Sequence, residues 1–90
     1  MIEIKVIIAN TTGLHARPAA KLVQKAASFN CKVKLAANNK VADGKSILGV
    51  VGMGLTQNTI LTITADGTDE EICIATLQEL IEGNFGEDIV

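Results

Sequence analysis

Apolar patterning along the 90 residues predicts an α+β domain: a four-stranded, largely antiparallel sheet with three helices on one face. Two observations carry this expectation. Period-two alternation and helical spacing follow one another in the order strand, helix, strand, strand, helix, strand, helix. The alternating segments are apolar on one side only, the mark of an antiparallel sheet with one face in water. No linker, repeat or low-complexity stretch interrupts the pattern, so residues 1–90 read as a single domain.

Each element has its own signal. Ile2, Ile4, Val6 and Ile8 alternate with Glu3 and Lys5, giving a strand with one buried face. Asn10-Thr11-Thr12-Gly13 is turn-rich and delivers the chain to His15. Ala19, Ala20, Leu22, Val23, Ala26 and Ala27 recur at helical spacing, and Pro18 falls in that helix's first turn, where its missing N–H matters least. Cys31, Val33 and Leu35 alternate with lysines as a second strand. Asn38-Asn39, two residues tolerant of left-handed backbone, predict a two-residue hairpin leading into Lys40-Val41-Ala42. Asp43-Gly44 ends that strand, and Ser46 is set to cap a short helix that stops near Gly54. Gln57-Asn58 turns the chain into the β-branched run Thr59–Ala65, closed by Asp66-Gly67. Thr68 and Glu71 have the spacing of a capping box. Cys73, Ile74, Leu77, Leu80 and Ile81 then line one face of a last helix, which Gly83 stops. The segment Asn84–Val90 is expected to be loosely held.

Composition narrows the function classes. A chain of this size buries roughly 60% of its unfolded surface, enough for one modest core. With no Trp or Tyr, that core must be aliphatic. A net charge of −2, no basic block and two Phe as the only aromatics argue against nucleic-acid binding. Cys31 and Cys73 stand in no metal-ligand or CxxC spacing, and a single histidine leaves a Cys/His zinc site hard to assemble, so no metal or other cofactor is expected. Both cysteines read as small buried hydrophobes. The N-terminal residues lack a signal-peptide layout and no apolar run approaches membrane-spanning length, so the expected location is the cytoplasm, with no membrane partner.

The stretch that carries chemistry is Thr12-Gly13-Leu14-His15-Ala16-Arg17-Pro18, which holds the sole histidine and the sole proline. His15 lies at or just before a helix N-terminus, where amide N–H groups lack intrahelical partners and the helix dipole is positive. That setting favours neutral imidazole, leaving a ring nitrogen free to act as a nucleophile. An arriving phosphoryl group would meet those amides and the Arg17 guanidinium. The plainer alternative makes His15 a surface or capping residue. A hydrolase would want a further acid or base and an enclosed site, and neither is visible. A second landmark is Ser46-Ile47-Leu48-Gly49-Val50-Val51-Gly52. Its helix is either a core helix with glycines for close packing or one that leaves Ile47, Leu48 and Val51 exposed to a partner.

Gly13-Leu14-His15-Ala16-Arg17-Pro18-Ala19 resembles the active-site signature of the HPr family, the histidine-containing phosphocarriers of the bacterial phosphoenolpyruvate:sugar phosphotransferase system. The order of elements is similar to the family's open-faced β-sandwich, β-α-β-β-α-β-α. The resemblance implies a carrier rather than an enzyme. Phospho-Enzyme I, charged from phosphoenolpyruvate, would phosphorylate His15, through Nδ1 in the family, and IIA domains of sugar permeases would receive the group. Arg17 matches the arginine that balances the phosphate. Thr12, Ala16, Ala20, Gln24, Ile47, Leu48 and Val51 would form the partner surface of a monomer. Ser46 matches the serine that an HPr kinase/phosphorylase modifies in many relatives, the modified form acting as corepressor with a catabolite-control transcription factor; a plain N-cap is its other reading. Two departures stand out: Gly44 where an aliphatic residue is usual, and Ile47-Leu48 where methionines are common. A nitrogen-branch carrier, or an interaction module acting through Ser46 and its apolar helix, are the alternatives.

Overall fold

The computed structural model describes residues 1–9 and 16–83. It contains β1 (Ile2–Ile7), α1 (Ala16–Ala27), β2 (Lys32–Ala37), β3 (Lys40–Asp43), α2 (Ile47–Gly52), β4 (Ile60–Asp66) and α3 (Glu70–Glu82). One sheet runs in the order β1-β4-β2-β3, every neighbouring pair antiparallel. The expected α+β architecture is therefore present.

Register follows from burial. Ile4 lies opposite Ile63 and Val6 opposite Leu61, while Leu35 faces Ile63 from the other side. A slip of one residue would turn each of these toward water, so the pairing is strongly specified. Behind this face pack Leu22 and Ala26 of α1, Val50 of α2, and Cys73, Leu77 and Ile81 of α3, all essentially without solvent contact. No polar side chain is buried among the described residues. The opposite face carries Lys5, Thr62 and Thr64, and also the exposed cross-strand pair Ile7 and Ile60.

The hairpin turn between β2 and β3 has Asn38 and Asn39 at φ 52° and 64°, the left-handed pair that a type I′ turn requires. Ser46 caps α2: its Oγ accepts from Gly49 N at 3.1 Å. Gly54 follows that helix at φ 64° and donates to Val51 O at 3.1 Å.

One expected cap is not formed. The helix start is shifted by a residue from the Thr68/Glu71 box: α3 begins at Glu70, with Asp69 at the cap position. Glu70 supplies the backward contact, its Oε1 accepting from Gly67 N at 3.2 Å. The Asp69 carboxylate makes no cap bond to its own helix. It accepts instead from Asn30 N at 2.7 Å and Cys31 N at 2.9 Å, tying the start of β2 to the start of α3. Those two amides hold the carboxyl below its usual range. A tertiary demand outcompeted the local one.

Candidate phosphoryl-transfer site

The site is organised by the start of α1. Its first described residue, Ala16, follows His15 directly in the chain. Ala16 and Arg17 have amide N–H groups with no intrahelical acceptor, and Pro18 has none to satisfy. Arg17 is exposed, whereas Pro18 and Ala19 are buried and seat the first turn on the core. An anion arriving at this turn would find backbone donors from the helix and a guanidinium on the solvent side. His15 and Thr12 lie outside the described residues, as does the side chain of Ala16.

The chain leaves β1 under restraint. Past the end of β1, Ile8 N donates to Thr59 O at 3.0 Å and Asn58 N donates to Ile8 O at 2.7 Å, extending the ladder toward β4. Asn58 adopts φ 71° to make that turn. Gln57 Nε2 then donates to Ala9 O at 3.2 Å, on the last described residue ahead of His15. Sequence reasoning marked Gln57-Asn58 only as a turn. Its bond to a carbonyl 48 positions away had no local signal.

The described residues expected to form the partner surface divide between two helices that pack on each other. On α1, Gln24 is exposed and Ala20 half-buried. On α2, Leu48 is 84% exposed, and Ile47 and Val51 about 40%. Val50 alone of that helix is buried, so one residue anchors α2 while its aliphatic neighbours face water. Of the two sequence readings of this helix, exposure is what the structure has. Ser46 is half-buried at its N-terminus.

Gly44 has a packing reason. A Cβ there would lie 2.5 Å from Val33 Cγ1, and Gly44 N already donates to Val33 O at 2.8 Å. An aliphatic side chain at this place would collide with Val33 of β2. Among the described residues, no group of three or more His, Cys, Asp or Glu side chains could hold a metal ion, and no helix is long and apolar enough to cross a membrane.

Comparison with known proteins agrees with this geometry. Residues 2–83 match the family described as the PTS HPr component phosphorylation site. The phosphocarrier protein HPr of Xylella fastidiosa is 39% identical over 88 residues, covering 98% of this chain and 99% of the relative. An HPr from Thermoanaerobacter tengcongensis superposes at a TM-score of 0.95 with 43% identity, over 99% of this chain and all of the other. Crh of Bacillus subtilis, a catabolite repression protein that forms a swapped dimer, superposes at 0.74 with 34% identity, over 93% and 97% of the two chains.

Proposed function

Because the chain belongs to the HPr family of phosphotransferase-system phosphocarriers, we propose that His15 is its phosphoryl acceptor and donor. The protein is a carrier and not an enzyme. The observation that supports His15 is its place in sequence, one residue ahead of α1 and inside the signature Gly13–Ala19.

In the proposed step, a ring nitrogen of His15 attacks phosphorus as the donor's bond to it breaks on phospho-Enzyme I. The phosphoryl group then sits against the first-turn amides, with Arg17 balancing its charge. The reverse displacement delivers it to an IIA domain. Stabilisation from a helix terminus and one exposed guanidinium is modest, which suits a group that must leave again. The partners dock on Thr12, Ala16, Ala20, Gln24, Ile47, Leu48 and Val51, and the carrier acts as a cytoplasmic monomer in sugar uptake.

The test is incubation with Enzyme I and phosphoenolpyruvate, followed by intact mass and acid lability of the adduct. One acid-labile phosphate is expected, absent from His15→Ala. A labile phosphate retained in that variant refutes the assignment. Arg17→Ala is expected to slow transfer without abolishing it, because the helix amides remain.

A regulatory reading of Ser46 rests on its role as the α2 cap beside exposed Leu48. Phosphate there adds about −1.5 to −2 charge at a helix start. An HPr kinase with ATP is expected to modify it, slowing Enzyme I transfer and creating a surface for a catabolite-control transcription factor. An unchanged transfer rate in Ser46→Asp would count against this regulation.

A further inference from the structure

One side of β1 has backbone groups with no partner. The strand lies at an edge of the sheet and pairs only with β4. In an antiparallel ladder every second residue directs both its N–H and its C=O at a given neighbour. Ile8 N donates to Thr59 O at 3.0 Å, and this fixes the phase. Ile4 and Val6 therefore turn their backbone groups to β4, while Glu3, Lys5 and Ile7 turn theirs outward. No described residue meets those outward groups. The other edge, β3, offers a shorter run, and Asp43 O there already accepts from Ser46 N at 3.0 Å.

Side chains add a pattern to this open edge. Glu3 and Lys5 are both exposed on the face away from the helices, and neither forms an ion pair or a hydrogen bond through its side chain. Ile2 and Ile4, on the other face, are half-buried where the core ends. Consider a second copy of β1 running antiparallel along the edge. Centring the pair on Glu3 or on Lys5 sets that charge against its own copy, which is destabilising. Only centring on Ile4 sets Glu3 opposite Lys5 of the second copy, and two-fold symmetry makes that pair twice. In the same register Glu3 and Lys5 are the residues whose outward amides and carbonyls meet. Ile4 then faces Ile4 of the second copy at the close, non-hydrogen-bonded position and carries the core face across the junction. Backbone phase, charge and the apolar face all select one alignment.

We propose that two copies of this chain associate reversibly edge to edge, β1 against β1 about Ile4, joining two four-stranded sheets into one. Each chain keeps its own β1 on its own β4. The helix α2, with exposed Leu48, packs against β3 at the far edge and stays free in both copies. A ladder this short gives a dissociation constant on the order of 0.1–1 mM, so dilute carrier remains monomeric.

Sedimentation equilibrium over about 10 µM to 2 mM reads the association, and wild type is expected to dimerise within that range. Glu3→Lys and Lys5→Glu each put like charges at both junction pairs and should weaken the dimer about tenfold or more. Mixed with each other, the two variants set lysines against glutamates at both pairs and should regain the wild-type affinity. At the top of the range the Glu3 and Lys5 amides of wild type should exchange with deuterium more slowly than in dilute solution. The proposal is overturned if wild type stays monomeric throughout, if either single variant dimerises as tightly as wild type, or if the mixture does not associate. Both substitutions fall at exposed positions and leave the core face of β1 unchanged. Wild type alone can give the overturning result, so the conclusion does not depend on either variant folding.

Discussion

Two glycines allow the packing account to be tested in opposite directions. A Cβ built on Gly67 would lie 2.6 Å from Cys31 Cα and 2.8 Å from Cys31 Cβ, against 3.4 Å for the near edge of ordinary contact. The obstacle is backbone, and it cannot easily retreat. Asp69 holds Cys31 N, and the adjoining Lys32 is paired with Asp66 in the sheet. Overpacking costs about 1–3 kcal/mol, and an immovable neighbour puts Gly67→Ala in the upper half of that range. In a domain of this size each kcal/mol shifts Tm by about 4–8 °C, so a fall of about 10–20 °C is expected. Gly52, at the end of α2, has nothing within 4 Å of its added Cβ. Gly52→Ala should stabilise by about 0.4–1 kcal/mol through loss of unfolded-state freedom. Circular dichroism melts of both variants beside wild type make the assay. A Gly67→Ala protein melting within about 2 °C of wild type would refute the claim that β2 and the β4–α3 turn are in rigid contact.

Stability should also depend on pH at both ends. The Asn30 and Cys31 amides hold Asp69 below 3.8, and the Met1 amine with the Gly67 amide holds Glu70 below 4.5. Stability from these carboxylates is present above their unfolded values and is lost as pH falls through the lowered folded ones. Glu70 raises the Met1 amine above 8.0, so that contribution is present below 8.0 and is lost as pH rises through the folded value. Urea midpoints should therefore peak between about pH 5 and 8, and Asp69→Asn should flatten the acid limb; an unaltered limb would remove Asp69 from it. Leu48→Ala, at an 84% exposed position, should leave Tm nearly unchanged yet weaken Enzyme I binding by about tenfold in titration calorimetry. Gln57→Ala removes the 3.2 Å bond to Ala9 O and should slow phosphoryl transfer several-fold more than its small loss of stability explains, as read by stopped-flow transfer rates. Equal rates would make Gln57 a purely structural brace.

What was legible beforehand obeyed local rules. Alternation in Ile2–Ile8 and Thr59–Ala65 placed two strands to within a residue or two, since a half-buried strand needs that period. Asn38-Asn39 and Ser46 took up the turn and cap their side chains favour. What was not legible depended on distant partners. Thr68 and Glu71 had capping-box spacing, yet the helix began one residue later because Asp69 was drawn to Asn30 and Cys31. The apolar pair Ile7 and Ile60 on the wet face could be placed by period but not explained by it. Of the site, the signature and the Pro18 helix start could be read directly. The ties from residues 57–59 to Ile8 and Ala9 could not, because they exist only once β1 and β4 have met.

That meeting has a consequence during synthesis. β1 sits at the sheet edge and pairs only with β4, Ile2 lying opposite Ala65. At roughly 5–20 residues per second, β1 leaves the ribosome several seconds before its partner strand exists. Its apolar row Ile2, Ile4, Val6 and Ile8 must wait unpaired for that time, within reach of chaperones and of other nascent chains. His15 lies between β1 and α1 in the sequence, so on the translating ribosome it is made early, before β4 can bind Ile8 and Ala9 ahead of it. A carrier competent for phosphate emerges only when the last third of the chain has arrived.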